Sequence, residues 1–380
     1  MLKLKKSSIA LEKKSTLKAF ERTFELFELY LKSREKRASV SPYSLIKFFE
    51  TIPIEKVDVT YPVNEPFAFI NIKIEPEKHE LLYSIIEPEL TLGESKIYEQ
   101  LKSILADVLE VDLKQFEEEK TALKYLMEKV STIAKEHKIE LIEETFEKIM
   151  YYVDRDFLGY GKIDAVMQDP NIEDISCTGP EIPIYVYHRF YGSIKTNIIF
   201  KTAEELDAFI IKLAQRCGQH ISIAEPLLDG SLPDASRVQL TLSSEVTHKG
   251  STFTIRKFRE DPITPPDLIA LGTVSSDILA YLWFSIEYAI SSLVAGGVAA
   301  GKTTLMNSLL MFIPHHMKIV SIEDTRELNI PHENWISSVT RAGFGTPDPS
   351  GRRFGEITMF DLLRASLRQR PDYIIVGEVR

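Results

Sequence analysis

The chain has 380 residues, of which 44% are hydrophobic and 27% are charged, and its formal net charge at pH 7 is −10. This length allows two or three domains with a sizeable core, and the composition is that of a globular protein rather than a disordered or fibrous one. The acidic balance argues against nucleic acid as the main partner.

The charge is unevenly distributed along the chain. Residues 1–40 contain eleven lysines and arginines against five glutamates, an excess of +6. A basic amphipathic start could contact anionic lipid or an acidic partner, or could simply be a solvated charged helix. Leu2–Ala10 is too short and charged for a signal sequence, and Ile278–Ile286 is too short to cross a bilayer. Cys177 and Cys217 lack metal or redox spacing, so we predict a cytoplasmic protein.

The N-terminal part of the chain alternates between helical and strand patterns. Residues 1–50 have apolar positions at helical spacing, whereas residues 67–74 alternate as in a strand. A long helical region is predicted over residues 96–152, with interruptions near Val111 and Lys138.

From Gly159 the pattern changes to short strands and helices typical of a compact α+β domain. Thr202 is predicted to cap a helix that ends near Cys217, with two glutamates in its first turn. The other predicted segments are a helix at 164–171, strands at 172–178, 183–188, 192–200, 236–242 and 251–258, and a turn-rich loop at 227–233.

Three prolines, at positions 262, 265 and 266, predict a linker before the last part of the chain. A helix is predicted from Ser275 to about Ser291. The final hundred residues alternate between apolar strands and one amphipathic helix, the pattern of an α/β unit. The strands are predicted at 317–322 and 372–376, and the helix at 357–370.

The best-defined motif is G-x-x-x-x-G-K-T, which runs from Gly296 to Thr303. An apolar strand at Ser292–Ala295 is predicted before it and a helix beginning near Met306 after it. Glycines let backbone N–H groups surround an anionic oxygen, and the positive end of the following helix favours the same charge. The motif therefore predicts a nucleotide phosphate site; the alternative is a chance glycine-rich turn.

Within that site the lysine and the hydroxyl have separate predicted roles. Lys302 would reach the β- and γ-phosphates of ATP, and Thr303 would complete the shell of a Mg²⁺ ion. The predicted nucleotide-binding residues of the loop are Gly296, Gly297, Ala300, Gly301, Lys302, Thr303 and Thr304.

Acidic residues follow two strands downstream of the loop. One strand ends in Glu323-Asp324-Thr325-Arg326-Glu327 and the other in Gly377-Glu378. Parallel strands that present carboxylates at their C-terminal ends beside a phosphate loop form the usual nucleotide crevice. Phosphoryl transfer needs a metal ion and an acceptor that orients water, so these carboxylates are candidates for both.

These motifs resemble those of the ATPase family of type II and type IV secretion, type IV pili and the archaellum, in particular its archaeal branch. The loop is similar to the family's Walker A motif, residues 322–327 to its Asp box, and residues 370–380 to its atypical Walker B. The similarity extends back through residues 254–258 and 235–238 to about residue 120. The first 110 residues show no matching motif.

The resemblance implies roles for five further residues. Glu327 is similar to the glutamate proposed to activate water, and Glu378 is a rival for that role near the magnesium, which Thr303 and Glu378 would hold with ATP. Glu323 is a third catalytic candidate. Arg237 and Arg256 occupy motifs whose arginines close onto the phosphates. Burying an arginine without an anion is costly, which supports a phosphate partner; the alternative for each is a structural ion pair.

The expected fold is multi-domain: a helical N-terminal region, an α+β, PAS-like middle domain and an α/β RecA-like P-loop domain. The predicted bounds are 1–115 for a helical and α+β N-terminal region with a docking role, 116–262 for the arginine-bearing domain, 263–274 for the linker and 275–380 for the nucleotide domain. The family pattern continues past Walker B into a His box, so the last domain is expected to be incomplete at Arg380.

The leading functional prediction is a homo-hexameric motor that hydrolyses ATP and drives an integral-membrane platform protein from the cytoplasmic face of the membrane. The alternative is a docking or regulatory fragment that binds nucleotide without hydrolysing it. A nucleic-acid translocase is disfavoured by the acidic charge, and a transporter-type ATPase by the absence of an L-S-G-G-Q stretch.

Overall fold

The computed structural model describes residues 57–378, except 76–79, 109–118, 138, 140, 259–261, 298–299, 342 and 344–351. The helix predicted over residues 1–50 lies outside the described residues. So do two positions of the predicted phosphate loop, Val298 and Ala299, and the last two residues of the chain.

The described chain begins with an antiparallel three-stranded meander. Its strands are β1 (Asp58–Asn64), β2 (Ala68–Glu75) and β3 (Glu80–Ile86). In β2 the apolar side chains of Ala68, Ile70 and Ile72 are buried, as the alternating pattern predicts. The sequence indicated only one strand here, so β1 and β3 were missed. The prolines on either side of β3 suggested a break.

Three helices follow and pack around one apolar cluster. They are α1 (Leu92–Val108), α2 (Glu119–Glu136) and α3 (Glu143–Val153). Leu101, Leu123 and Ile149, one from each helix, are fully buried in this cluster. The predicted helical region is therefore confirmed, whereas the interruptions predicted near Val111 and Lys138 fall on positions outside the described residues. After α3 the chain makes a π-helical turn, a 3₁₀ turn and the short α4 (Asp164–Gln168).

The middle block contains six strands and one longer helix. The helix is α5 (Ala203–Arg216), and Thr202 accepts a hydrogen bond from the N–H of Glu205 at 3.2 Å, as its predicted capping role requires. The strands are β4 (Ile172–Cys177), β5 (Pro183–His188), β6 (Gly192–Ile199), β7 (Leu227–Ser231), β8 (Arg237–Thr241) and β9 (Thr252–Arg256).

The prediction of a turn-rich loop at 227–233 was wrong for its first five residues. Leu227–Ser231 pairs antiparallel with β8 along its whole length and forms the outer strand of the sheet. Leu228 is buried and anchors that strand, whereas Asp229-Gly230 resembles a turn in sequence. Cross-strand pairing thus overrides the local turn propensity.

One sheet joins the meander to the middle block. Its nine strands lie in the order β1-β2-β3-β6-β5-β4-β9-β8-β7. The joint is a short parallel contact in which Tyr83 faces Thr196, and the Asn197 amide donates to the carbonyl of Ile85 and accepts from its N–H. The sheet therefore continues across the boundary predicted at residue 115.

The predicted linker contains a helix, α6 (Pro265–Ala270). Thr264 and Asp267 form a capping box. Pro265 and Pro266 stand in the first turn, where the missing N–H groups have no helical partner anyway. Leu268 packs with Leu279 and Leu309 of the last unit. The segment predicted as a linker therefore contains a short packed helix, which Pro265 and Pro266 begin rather than break.

The last unit is a small α/β layer. Its sheet, in the order β11-β10-β12, is entirely parallel, and its elements are α7 (Ser276–Glu287), α8 (Lys302–Leu310), β10 (Ile319–Glu323), β11 (Trp335–Val339), α9 (Met359–Ser366) and β12 (Tyr373–Val376). The strands predicted at 317–322 and 372–376 are confirmed with slightly different bounds. The sequence did not indicate β11.

Two predictions around the phosphate loop were wrong in detail. Residues 292–295 belong to no strand among the described residues, and Leu293 is 85% exposed. An apolar segment becomes a strand only when a neighbour supplies hydrogen bonds. The following helix begins at Lys302 rather than near Met306, so the lysine and both threonines lie in its first turn.

Candidate functional site

The glycine-rich turn opens directly into helix α8. Gly301 is the residue before the helix and has φ +81°, a left-handed conformation that glycine adopts without strain. No side chain caps this helix end. The Lys302 ammonium donates to the carbonyl of Gly297 at 2.6 Å and so stays at the loop. The nine-residue helix α8 therefore has an uncapped N-terminus with a cation beside it. Both the helix end and the cation favour binding of an anion there.

A cleft of about 270 Å³ lies between this helix and the nine-stranded sheet. Both halves of the molecule contribute polar groups to it. Its lining residues are Ala235, Arg237, Arg256, Lys257, Phe258, Pro262, Ile263, Thr303, Thr304, Asn307, Thr325, Arg326 and Glu327. The structure thus brings together five of the predicted site residues that are far apart in sequence: Arg237, Arg256, Thr303, Thr304 and Glu327.

The two arginines face each other across a strand pair. Arg237 of β8 and Arg256 of β9 are directly opposed in the antiparallel register, on the exposed face of the sheet. Like charges in that position repel each other unless anions compensate. Here the compensation comes from Asp229, 2.9 Å from Arg237, and from Asp174, 2.9 Å from Arg256.

Both arginines therefore form ion pairs within the sheet in this structure, as the alternative to phosphate binding predicted. Neither is buried, since their side chains are 46% and 73% exposed, so the predicted cost of burial does not arise. Hydrogen bonding to these aspartates raises the pKa of both guanidinium groups, and the charge of Glu327 adds to it. Two exposed cations therefore line the cleft in the field of Glu327.

The two acidic strand ends are neighbours, as predicted. Strands β10 and β12 pair in parallel with Ile322 opposite Val376, and the N–H of Gly377 donates to the carbonyl of Ile322 at 2.9 Å. A Cβ on Gly377 would lie 3.1 Å from Cγ of Glu323, so the close approach favours glycine there. Glu378 follows as an exposed residue that does not line the cleft.

Glu323 lies beneath the cleft rather than in it. Its residue is 2% exposed, and Oε1 accepts hydrogen bonds from the N–H groups of Glu327 and Leu328, both at 2.8 Å. Its other oxygen, Oε2, is buried without a hydrogen-bond partner in the described structure. This geometry suits a carboxylate that holds the following turn more than one that touches a substrate.

Burial raises the pKa of the Glu323 carboxyl. A carboxyl whose pKa is higher in the folded state contributes less to stability as pH rises from its unfolded value of about 4.3 through its folded value. We therefore expect the stability of Glu323→Gln relative to wild type to increase with pH above about 4.3 and to be constant below it.

Urea unfolding at pH 4 to 8 measures this difference. Both tryptophans, Trp283 and Trp335, lie in the last unit, so their fluorescence reports that unit alone. Glu333→Gln, which changes an exposed carboxylate of the same unit, is the control and should not alter the pH profile. A constant difference for Glu323→Gln across that range would contradict the prediction.

Asn307 is a cleft residue that the sequence predictions missed. Its amide donates to the carbonyl of Glu327 at 3.1 Å, and its oxygen accepts from the N–H of Asn329 at 3.0 Å. The available signal was its position four residues after Thr303, which places both on one face of a helix. Nothing in the motif itself specifies which partner that face would meet.

The residues present fit a magnesium-bound nucleotide. Two arginines and the hydroxyl residue Thr303 line the cleft beside a helix N-terminus. Lys302 does not line it, but it lies in the same helix turn and its ammonium donates to the loop. Among the described residues no cluster of three or more His, Cys, Asp or Glu could hold a metal ion by itself. A Mg²⁺ ion here would therefore depend on phosphate oxygens for much of its shell, as this ion commonly does.

Two family models match the chain. Residues 165–380 match the model described as type II/IV secretion system protein, and residues 16–89 match the model described as PilB3-like, N-terminal. The first match confirms the resemblance predicted from the motifs. The second shows that the N-terminal region, where the sequence offered no recognisable motif, also has relatives.

Individual relatives match different lengths of the chain. The chain is 38% identical over 343 residues to an uncharacterized protein of Methanocaldococcus jannaschii, covering 85% of this chain but only 60% of that relative. It is 27% identical over 239 residues to Protein VirB11 of Agrobacterium fabrum, covering 56% and 67%. Among solved structures, the Legionella pneumophila ATPase DotB is 19% identical, covering 56% and 57%, with a TM-score of 0.37, too low to establish a shared arrangement.

Proposed function

This chain belongs to the type II/IV secretion system protein family, and we propose that it is an ATP-hydrolysing motor subunit of a secretion or pilus-like machine. The observation that carries the proposal is the cleft in which Arg237 and Arg256 face Thr303 and Glu327. It supplies cations and a carboxylate from separate parts of the chain beside the first turn of α8, and phosphoryl transfer requires groups of these kinds.

In this proposal the loop residues hold the phosphates. Phosphate oxygens accept hydrogen bonds from backbone N–H groups of the loop and of the first turn of α8; the loop residues are Gly296, Gly297, Ala300 and Gly301. Lys302 leaves the Gly297 carbonyl and pairs with the β- and γ-phosphates. Thr303, with Glu378 as the second candidate, would hold the magnesium. When bound, that ion neutralises charge that develops on the phosphates.

Closure of the cleft is the proposed link between ATP and movement. The arginines project from the nine-stranded sheet, whereas the loop belongs to the last unit, so a phosphate held by both would draw the two parts together. The arginines would exchange Asp229 and Asp174 for phosphate oxygens, to which guanidinium groups bind in a bidentate manner. Hydrolysis and phosphate release would then allow the aspartates to recapture them.

The assembly around this motor follows from the family resemblance. We propose a RecA-like fold for the nucleotide unit, a PAS-like fold for the arginine-bearing unit and a homo-hexamer acting at the cytoplasmic face of a membrane. Its partner would be an integral-membrane platform protein, and the residues up to about 115 would dock on the machinery. Among the described residues, no helix has the length and apolarity to span a bilayer.

The first test measures magnesium-dependent ATP turnover and nucleotide binding together. Turnover that requires both Mg²⁺ and Lys302 supports the motor. Tight binding of ATP without turnover would replace it with the nucleotide-binding docking protein. Turnover that depends on added DNA would instead favour a nucleic-acid translocase.

The arginines provide a second, sharper prediction. We expect Arg256→Gln and Arg237→Gln each to lower kcat by about 10- to 100-fold, because each removes a cation that would stabilise charge on the phosphates. Arg189→Gln is the matched control, since Arg189 also pairs with a carboxylate, that of Glu173 at 3.4 Å, but does not line the cleft. Equal losses in all three variants would mean that the arginines act only as ion pairs of the sheet.

A further inference from the structure

The Asp-box glutamate is fixed through its backbone on both sides. Its N–H donates to Oε1 of the buried Glu323 at 2.8 Å, and its carbonyl accepts from the side-chain amide of Asn307 at 3.1 Å. The backbone of Glu327 is therefore held between the end of strand β10 and the middle of helix α8. Its side chain remains exposed and lines the cleft.

Asn307 connects the helix that follows the glycine-rich loop to the turn that contains Glu327. It lies one helical turn after Thr303 and Thr304, on the helix whose first turn forms the phosphate site. Its oxygen also accepts from the N–H of Asn329, so one amide spans the turn from Glu327 to the residue two positions later. Both atoms of the amide are used, and this fixes its orientation.

We propose that Asn307 is a positioning residue that transmits the state of the phosphate loop to Glu327. A shift of α8 on nucleotide binding moves the carbonyl of Glu327 through this amide, while Glu323 holds the preceding N–H as a pivot. The carboxylate of Glu327 then meets the attacking water at the right distance only when α8 is in its nucleotide-bound position. This inference rests on the proposed function, because it concerns the same site.

The energetic case depends on geometry rather than on bond strength. A single neutral hydrogen bond contributes only about 1 kcal/mol to stability, so losing one bond of this amide should leave the unit folded. A misplacement of about 1 Å in a catalytic group, however, can lower a rate by about 10²-fold. The role therefore predicts a large kinetic effect with a small effect on folding.

Kinetic analysis of Asn307→Ala and Asn307→Asp tests the first half of the proposal. Asn307→Asp keeps an acceptor for the Asn329 N–H but loses the donor to Glu327, so we expect both variants to lower kcat by about 10- to 100-fold with KM for ATP changed less than about threefold. Asn334→Ala changes an exposed asparagine of the same unit and should match wild type. Wild-type kcat in Asn307→Asp would overturn the proposal.

A double-mutant cycle separates positioning from a structural role. If Asn307 acts through Glu327, then Asn307→Ala should cause no further loss in a Glu327→Gln background. Equal fractional losses in both backgrounds would show that Asn307 acts elsewhere and would overturn the inference, while leaving the proposed ATPase intact.

Hydrogen exchange tests the coupling without requiring turnover. We expect ATPγS to slow amide exchange over residues 324–329 in wild type, and Asn307→Ala to bind ATPγS with unchanged affinity but without that slowing. If the wild-type chain binds ATPγS and hydrolyses no ATP, the proposed function fails, and this measurement still decides whether Asn307 couples α8 to the backbone of Glu327. Equal slowing in wild type and Asn307→Ala would overturn it.

Discussion

Replacing Lys302 with alanine is expected to lower ATP turnover by about 10²- to 10³-fold. The lysine stands in the first turn of α8 beside a left-handed glycine, where its ammonium can reach phosphates held by the loop. A preorganised cation at the site of developing charge has an effect of this order on a reaction rate. Nucleotide affinity should fall as well, because the same charge attracts the ground-state phosphates.

The fold should tolerate this change. In the described structure Lys302 makes one hydrogen bond, to the Gly297 carbonyl, and the replacement leaves no buried charge behind. The fluorescence of Trp283 and Trp335 during thermal unfolding checks the last unit directly. Lys249→Ala, which removes an exposed lysine outside the cleft, is the control. Unchanged turnover in a folded Lys302→Ala variant would rule out the proposed ATPase.

The glycine-rich turn and the helix after it could be predicted from sequence because the motif is local. Gly301, Lys302 and two threonines occupy four consecutive positions at the start of α8, although the predicted helix start near Met306 was four residues too late. The strand predicted before the turn needed a hydrogen-bonded neighbour, and a strand's partner is not encoded in its own residues. Residues 292–295 show this limit, since apolar composition alone did not place them in the described sheet.

The opposed arginines show which part of the site was beyond sequence reasoning. Each arginine matched a motif, but their direct opposition depends on the register of β8 against β9, set by a connection of ten residues. Their aspartate partners came from two other strands, β7 and β4. Because these contacts join distant segments, only the folded sheet reveals that the cations reach the cleft already paired.

The same reasoning explains why Glu323, Glu327 and Glu378 could not be ranked from sequence. All three lie at or shortly after the C-terminal ends of two strands of one parallel sheet, and that pattern predicts only that they lie near the same edge. Burial separates Glu323 from the other two, and the lining of the cleft separates Glu327 from Glu378. Each distinction depends on the path of the chain after its strand ends.

Glu327→Gln is therefore expected to have the largest effect on kcat among the carboxylate variants, a loss of about 10²- to 10⁴-fold. Removing a correctly positioned general base lowers the reaction rate by a factor of this order. The neutral amide of glutamine should leave ATP binding unchanged or slightly tighter. Glu378→Gln should instead raise the Mg²⁺ concentration needed for half-maximal turnover, in keeping with its proposed place near the metal.

Turnover measured against Mg²⁺ concentration, with ATP affinity measured separately, distinguishes these two roles. Glu333→Gln, an exposed carboxylate of the same unit, should behave as wild type in both measurements. If Glu378→Gln abolishes turnover at saturating Mg²⁺ while Glu327→Gln retains it, the two assignments are reversed. In that case the hydrogen bonds from Asn307 and to Glu323 would position Glu327 for its interaction with the arginines rather than for catalysis. The charge of Glu327 acts on both Arg237 and Arg256.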